Sequence, residues 1–440
     1  MDKQGQFLSA VLVMMLALIM IAMFSVYAII LEGNGNVYTS LTSSSISSYM
    51  AGQIANQYSN IMPFSSSVNS TFSGMLKNFI AGYYPSYVLA DSLLNYTNLT
   101  YDYAMPPNVT VPNSVEAYVS VILNNTQSSP TPAPFQQMIN VPNTTSFWNY
   151  INTTSGYFGQ NVEFFYGNGK IIPSWLESYN SSSGRWWVKV GTISASSVTK
   201  IYMGFASKTT NLFNTNNVGE APQLSSTYAE YDDGANVFNF YANFAGTSLN
   251  TSKWTVSGIT YTVNNGFSAT ATSAEGYIIS KNVAINPATN IIDFYGTNFQ
   301  TSTNSWTAVG AIDGGETGGT SGAGYGSMIV ASWPTSSQTN SWQRSSAGLT
   351  TSAAMQTSSA AAVWTVEPVS STSTNFYINY GGLQTVSADA DTYPLYEGLI
   401  AAGANGAAYT FSEAVTITWY RVRAYPPNGV MPSVSFGSVA

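Results

Sequence analysis

The most constraining feature of this chain is an uncharged apolar run near its beginning, FLSAVLVMMLALIMIAMFSVYAIIL at residues 7–31. As an α-helix it is about 37 Å long, enough to cross a bilayer. A buried core helix is a weaker explanation because the run is apolar on every face, and a cleaved signal peptide has a shorter apolar region. Lys3 precedes the run and Glu32 follows it, which favours a cytoplasmic N-terminus. We therefore predict a single-pass cell-membrane protein, with lipid around residues 7–31 and an extracellular remainder.

The residues that lead into this run, DKQGQFLSAVL, resemble the processing region of archaeal pilin precursors, in which a short charged leader ending in Gly is removed. The resemblance implies cleavage between Gly5 and Gln6. Ala10 stands near the place where many such pilins carry Glu, and EGNGN at 32–36 favours a turn directly after the run. We therefore favour a permanent anchor over a pilin-like helix.

The composition excludes several chemistries. Without His, the chain has no Ser-His-Asp triad and no His-ligated zinc site, and without Cys it has no disulfide and no thiolate. Charged residues make up only 7% of the chain, against roughly a quarter in typical soluble domains. The net charge of -8, with no basic run, gives no footprint for nucleic acid. Having few carboxylates also predicts a stability that depends weakly on pH.

Hydrophobic periodicity changes along the chain. Apolar residues at helical spacing, such as Ile46, Met50 and Ile54, predict short helices in the first part. After the Pro-spaced stretch QSSPTPAPF the repeat becomes that of strands. RWWVKVGTI, for example, predicts a half-buried strand with Trp186 on one face and Trp187 on the other, and Asn265-Gly266 indicates a hairpin.

The fold class we predict is mainly β, with one N-terminal transmembrane helix, a short helical stalk and two antiparallel β-sandwiches. The turn-rich spacing of the strands, with no helical pattern between them, favours sandwiches over a parallel sheet. The predicted boundaries are 1–32 for the membrane helix, 33–127 for the stalk, 128–135 for the linker, 136–235 and 236–427 for the sandwiches, and 428–440 for a C-terminal tail.

Asn-X-Ser/Thr sequons are frequent in the first part of the predicted extracellular region. Such triplets also arise by chance in a chain rich in Asn, Ser and Thr, but their concentration is compatible with an N-glycosylated, exported glycoprotein. The candidates are Asn69, Asn95, Asn98, Asn108, Asn124, Asn143, Asn152, Asn180 and Asn250.

Two stretches carry a more specific resemblance. WLESYNSSSGRWWVKVGTISASSVTKIYMGFASKTTNLF resembles a prokaryotic surface domain of unknown function, with a Trp-Leu-Glu motif followed by a Trp-Val-Lys-Val strand. In that family a concanavalin-A-like jelly roll commonly follows. YDDGANVFNFYANFAGTSLNTSKWTV resembles the opening of that jelly roll, and ITWYRVRAYPPNGVMPSVSFGS resembles its closing strand and exit. The resemblance covers about 135–440, is strongest to archaeal and particularly acidophile surface proteins, and implies extracellular display and glycan recognition.

Jelly rolls of this kind include glycoside hydrolases with two Glu residues on one strand, in the pattern Glu-X-Asp-X-(X)-Glu. The nearest stretch here, AVGAIDGGETGG, keeps Asp313 and Glu316 but has Ala311 in place of the first Glu. A hydrolase that lacks one carboxylate loses either its nucleophile or its acid. We therefore predict that the protein is not an enzyme, and we interpret this stretch as a polar turn.

Other residues are candidates for binding. Trp306, Trp333 and Trp342 lie beside Ser, Thr and Asn, and could stack on sugar rings in a lectin-like site, although Trp in a sandwich is usually core. No cofactor is expected. A structural calcium ion is the one exception, and its weak candidate ligands are Asp389, Asp391 and Glu397, for which a solvated turn is the alternative.

Three further acids, Glu230, Asp232 and Asp233, stand where the first predicted sandwich ends and the second begins. We interpret them as junction residues that satisfy backbone donors in a turn, with a bound cation as the alternative. For the whole chain we predict a surface protein whose jelly roll adheres to extracellular glycans or neighbouring cells. The alternative is a self-assembling structural subunit of a pilus, surface filament, lattice or virion.

Overall fold

The computed structural model describes residues 109–257, 260–270, 276–297, 306–312, 326–331, 339–345, 348–356, 360–387, 395–402 and 416–440. The chain divides into two compact units, 1–109 and 110–440, and the description below concerns the second. Within the described ranges no helix is long and apolar enough to cross a membrane. The predicted span 7–31 and the processing site lie outside those ranges.

The first sandwich is built from two sheets that share one core. The five-stranded sheet has the order β24-β1-β7-β3-β4, and the four-stranded sheet has the order β2-β6-β5-β8. Neighbouring strands are antiparallel, except that β5 and β8 are parallel. The strands are β1 (Ala117–Asn125), β2 (Phe135–Pro142), β3 (Val162–Phe165), β4 (Ile171–Ile172), β5 (Ser174–Tyr179), β6 (Ser183–Val190), β7 (Ser197–Phe205), β8 (Val218–Glu220) and β24 (Ser433–Val439).

The two-residue repeat explains this core. In β1 the buried positions alternate strictly, so that Val119, Val121 and Leu123 all point to one face. They meet Trp186 and Val188 of β6, which come from the opposite sheet. Each sheet therefore buries one apolar face against the other, as sandwiches require.

The structure differs from the predicted boundaries at both ends of this sandwich. β1 is a strand inside the segment 33–127 that was predicted to be a helical stalk, and β2 begins at Phe135, inside the predicted linker. The segment 428–440, predicted to be a tail, supplies β24, which pairs with β1. Phe436 of β24 packs on Phe147, with the ring centroids 5.0 Å apart. A strand whose partner lies about three hundred residues away leaves no local signal of its pairing.

The second sandwich has larger sheets, with strand orders β10-β13-β22-β15-β16-β17-β18 and β11-β12-β23-β14-β19-β20-β21, and β9 adds to the second of these through β23. Its strands are β9 (Phe240–Ala242), β10 (Trp254–Ser257), β11 (Thr260–Val263), β12 (Phe267–Thr270), β13 (Gly276–Ile285), β14 (Asn290–Thr297), β15 (Trp306–Ile312), β16 (Gly326–Ala331), β17 (Thr339–Ser345), β18 (Gly348–Gln356), β19 (Ala362–Ser370), β20 (Ser373–Ile378), β21 (Gly381–Ser387), β22 (Leu395–Ala402) and β23 (Thr416–Ala424).

The core of the second sandwich lies between these two sheets. Ile278 and Val309 of one sheet meet Phe294 and Trp364 of the other, and all four side chains are buried. The predicted hairpin is confirmed, because β11 pairs with β12 across a turn in which Asn265 has a φ of 53°. The prediction of a mainly β protein with sandwich-like sheets is also confirmed.

The two sandwiches are joined by a short connection and by a shared aromatic layer. A four-residue helix, α1 (Gly234–Val237), links β8 to β9. The other helical turns in the described part are two short 3-10 helices, at Trp148–Tyr150 and Pro427–Gly429. The aromatic layer, which we call the seam, contains Trp175, Trp187, Ala221, Val237, Phe238, Tyr241, Val363 and Trp419.

Candidate functional site at the seam

A buried arginine lies at the centre of the seam. Strand β23 has Tyr420 and Val422 on the face that packs into the second sandwich, so the alternation places Arg421 and Arg423 on the opposite face, toward the first sandwich. The Arg421 guanidinium is fully buried. Its Nε lies 3.0 Å from Asp293 Oδ2, and its Nη2 lies 2.7 Å from Glu177 Oε2. One cation is therefore paired with a carboxylate from each sandwich.

Asp293, on β14, is the acid that the second sandwich supplies. It accepts hydrogen bonds from Arg421, from Arg423 Nε at 2.8 Å and from Thr365 Oγ1 at 2.7 Å. Burial by itself would raise the pKa of Asp293, but the guanidinium groups of Arg423 and Arg421 outweigh this effect and hold the pKa below its ordinary value. Asp293 is therefore a permanent anion, with its lone pairs occupied.

Glu177, on β5, is the acid that the first sandwich supplies. The pairing of β5 with β6 shifts by one residue between Leu176 and Ser178, so Glu177 is the extra residue of a β-bulge. Bulges change the direction of a side chain. Glu177 Oε2 accepts a hydrogen bond from Trp187 Nε1 at 2.8 Å and a short one from the Tyr380 hydroxyl, which comes from the second sandwich.

Aromatic rings enclose the Arg421 guanidinium. Its Cζ lies 4.4 Å from the ring centroid of Trp187, 4.5 Å from that of Phe238 and 4.7 Å from that of Trp419. Such contacts stabilise a cation, most strongly where water is excluded. The predicted half-buried strand at 185–190 is thus wrong in one respect. Trp187 was expected on the open face, but it is fully buried because the second sandwich covers that face.

The junction acids lie at the edge of the same seam. Asp232 accepts hydrogen bonds from Trp175 Nε1 at 2.8 Å, Tyr241 Oη at 2.8 Å, Asn243 Nδ2 at 2.7 Å and the Gly234 N–H at 3.0 Å. It therefore connects β5 of the first sandwich to β9 of the second, and it also caps a backbone donor. Burial raises the pKa of Asp232 despite these donors.

The neighbouring acids have different surroundings. The Asp233 side chain is 1% exposed, and its carboxyl oxygens have no hydrogen-bond partner. Burial, together with the nearby Asp232, raises its pKa well above the ordinary value, so Asp233 is held as a neutral acid. Glu220 is also buried and accepts a hydrogen bond from Ser225 Oγ at 2.6 Å, yet burial raises its pKa to about 7. Glu230 is exposed.

The other predicted site residues lie mostly beyond the described side chains. Trp306 and Trp342 belong to strands β15 and β17, and Glu397 belongs to β22, opposite Ala311 in the pairing. Trp333, Asp313, Glu316, Asp389 and Asp391 lie outside the described residues. Among the residues that are described, no group of three or more acids is arranged to hold a metal ion.

Ala311 bears directly on the hydrolase pattern. It lies in β15 and its side chain is fully buried in the core of the second sandwich. Because neighbouring side chains of a strand alternate, a glutamate at position 311 would point into that core and not toward a substrate.

The described sequons fall into different environments. Asn143, Asn180 and Asn250 are exposed, and Asn124 is half-buried on β1. Asn152 is only 8% exposed, and its Nδ2 donates to the Lys208 carbonyl at 2.9 Å. The sequons at Asn69, Asn95, Asn98 and Asn108 lie outside the described residues.

Sequence reasoning missed the seam cluster itself. Its signal was WYRVRA, in which Arg421 and Arg423 stand two residues apart on one strand of a chain with only 12 basic residues. Two charges on one face of a strand that is otherwise aromatic point to a buried, paired environment. The partners Glu177 and Asp293 could not be identified in the same way, since nothing local connects them to Arg421.

Comparison with known proteins places a named domain on the first sandwich. Residues 158–221 match a domain of unknown function, DUF2341. The match includes Glu177 and Trp187, so the predicted presence of such a domain is confirmed over these residues. An uncharacterized protein of Sulfolobus islandicus rod-shaped virus 1 is 34% identical over 134 residues, which is 29% of this chain and 22% of the viral protein. The chain thus spans about a fifth of the length of the curated relative that it matches.

Solved structures show looser similarities. A β-1,3-glucanase from Mycobacterium marinum has a TM-score of 0.30 and 15% identity, covering 42% of this chain and 98% of that one. A family 16 endo-glucanase from Bacteroides ovatus has a TM-score of 0.30 and 12% identity, covering 42% and 99%. The carbohydrate recognition domain of Emp46p, in its potassium-bound form, has a TM-score of 0.31 and 15% identity, covering 43% and 95%. At these TM-scores we take neither an activity nor a ligand from the similarities.

Proposed function

We propose that this chain is a non-enzymatic, membrane-anchored surface protein, whose two sandwiches form one rigid extracellular head that recognises glycans or a neighbouring surface. The observation that carries the proposal is the use of charge at the seam. The described salt bridges all belong to the cluster around Glu177, Asp293 and Arg421. These groups hold the sandwiches together, and a paired, buried ion is not available for acid–base chemistry.

The surface that remains is suited to neutral recognition. With 7% charged residues and 14% aromatic residues, its polarity comes largely from hydroxyl and amide groups. Such groups hydrogen-bond to sugar hydroxyls, while aromatic rings pack against the apolar faces of sugar rings. The apolar run 7–31 supplies the anchor in this proposal.

Expression of the full chain with a C-terminal tag tests the location. We expect the protein in the membrane fraction, resistant to high salt and released by detergent, with the head removed by protease added to intact cells. A soluble protein, or a head protected from that protease, would contradict the proposal.

The second candidate function is a structural subunit of a filament, lattice or virion. The relative from a rod-shaped virus favours it, because the matched residues of that protein belong to a viral genome product. Electron microscopy of shed material separates the two functions, since ordered filaments or lattices are expected only for a subunit. A mature N-terminus at Gln6 would further support a pilin-like subunit over a permanent anchor.

Glycoside hydrolysis is the third candidate, and it can be tested directly. A retaining or inverting enzyme needs two carboxyl groups about 5 to 9.5 Å apart across a sugar-binding face. We expect no release of reducing sugar from β-glucans incubated with the full chain. Sustained release that scales with protein concentration would refute the non-enzymatic proposal.

A further inference from the structure

An aromatic cluster lies at the surface of the first sandwich, away from the seam. At its centre Phe158 stacks on Tyr179, with the ring centroids 4.3 Å apart and the planes within 4° of parallel. Trp148 lies 5.7 Å from the same ring, and Trp186 lies 5.8 Å from it. Phe158 and Trp186 are buried, whereas Trp148 and Tyr179 are half-buried. Two rings of the cluster are therefore fixed from below by packing and open to solvent above.

Tyr157 extends this cluster outward. Its side chain is 57% exposed, an unusual position for a large aromatic side chain. The turn that carries it is held in place, because Tyr157 N–H donates to the Thr154 carbonyl at 3.0 Å and the Gly156 N–H donates to Tyr179 Oη at 3.3 Å. Gly156 has a φ of 77°, which a glycine adopts without strain. The turn thus ties Tyr157 to the same face as Tyr179.

The surroundings of these rings are polar but uncharged. The segment from Asn143 to Asn161, NTTSFWNYINTTSGYFGQN, contains no acidic or basic residue. Its exposed polar side chains are Asn143, Thr144, Ser146, Asn149, Thr153, Thr154 and Ser155. A nucleic acid or a charged peptide would find no counter-charge on this segment. A neutral sugar would find both ring faces and hydrogen-bonding groups.

We infer that Trp148, Tyr157 and Tyr179 form a binding platform for neutral oligosaccharides on the first sandwich. The inference rests on the proposed recognition function and gives that function a site distinct from the tryptophans predicted in the second sandwich. Fixed aromatic rings lose little conformational freedom when a ligand binds, which favours affinity. The exposed Asn and Thr side chains of the 143–161 segment select the hydroxyl pattern.

The test uses the full chain, produced in a host without N-glycosylation so that its own sequons carry no sugar. The probe is a glycan array printed with neutral and acidic oligosaccharides, followed by titration with the oligosaccharide that gives the strongest signal. Tyr157→Ala is the informative variant, because this side chain is exposed and its loss leaves the core intact. Tyr150→Ala is the matched control. Tyr150 is 43% exposed in the same segment, but its ring lies on Phe205 and not on Phe158.

We expect the unaltered protein to bind neutral oligosaccharides, Tyr157→Ala to weaken that binding by about fivefold to tenfold, and Tyr150→Ala to leave it unchanged. Tyr157→Phe should retain binding if ring stacking dominates. Full binding by Tyr157→Ala would overturn the platform while leaving glycan recognition in place. Silence of the unaltered protein across the array would overturn both glycan recognition and the platform, whereas a preference for acidic sugars would overturn only the neutral ligand class.

Discussion

Arg421 Nη2 of the second sandwich lies 2.7 Å from Glu177 Oε2 of the first, across 244 positions of sequence. Both side chains are buried, and neither charge has water to solvate it. A buried ion pair contributes little over an apolar pair of the same shape, but its loss on one side leaves an uncompensated charge. The pair therefore fixes how the two sandwiches meet, because any other arrangement would leave Arg421 or Glu177 buried alone.

Arg421→Met should destabilise the protein by about 3–5 kcal/mol, since Glu177 and Asp293 would stay buried without their shared cation. The matched control is Arg185→Ala. Arg185 also binds Glu177, at 3.2 Å, but it is 26% exposed, so its loss should cost about 0–1 kcal/mol. Urea unfolding followed by tryptophan fluorescence measures both values. Equal effects from the two variants would show that burial of the pair is not what stabilises the seam.

Asp232→Asn and Asp233→Asn should behave in opposite ways although the residues are adjacent. Asp232 accepts four hydrogen bonds, and an amide leaves some of these donors unsatisfied, so we expect a loss of about 1–3 kcal/mol. Asp233 has no partner and is held neutral, so its amide should be tolerated or slightly stabilising. Thermal unfolding of the two variants, with limited proteolysis of the 221–240 connection, measures the difference. A larger loss for Asp233→Asn would contradict this assignment.

Stability should rise as the pH falls from 7 to 4.5. Burial raises the pKa of Glu220 to about 7, so over this range the folded protein holds a proton that the unfolded chain has already released. Burial raises the pKa of Asp232, Asp233 and Glu163 in the same direction. Below the ordinary aspartate value of 3.8 the trend should reverse, because Asp293 must then be protonated against its two arginines.

Urea midpoints at pH 4.5 and pH 7 measure this trend, and Glu220→Gln is the variant that should reduce the difference between them. The weak pH dependence predicted from composition thus acquires a direction, toward greater stability in mild acid. A midpoint that falls between pH 7 and pH 4.5 would contradict the expected sign.

The sequons should not be modified equally. In a host that attaches N-glycans, we expect occupancy at Asn180 and Asn250, which are exposed, and none at Asn152, whose amide is 8% exposed and donates to Lys208. Peptide mass spectrometry measures the occupancy of each site. Because glycans are attached early, modification at Asn152 would instead mean that the chain acquires them before this loop packs.

Part of the fold could be predicted from local pattern. The alternation in β6, the Asn265-Gly266 hairpin and the strand ITWYRVRAY all follow from side chains a few residues apart. The stalk boundary was placed too late because the alternation of β1, AYVSVILNN, was not recognised. The junction at Asp232 was located from a change of domain, but its hydrogen bonds to Trp175 and Tyr241 were not foreseen.

By itself, the sequence determined the β class, the apolar run 7–31 as a predicted span, the absence of His and Cys chemistry, and the position of the junction between the sandwiches. The tertiary structure alone decided which faces are covered. It buried Trp187, paired Glu177 with Arg421, and returned the C-terminal strand β24 to the first sandwich beside β1. The physical reason is that hydrophobic alternation is written into neighbouring residues, whereas burial of a second face and pairing of distant charges depend on contacts that the local sequence does not encode.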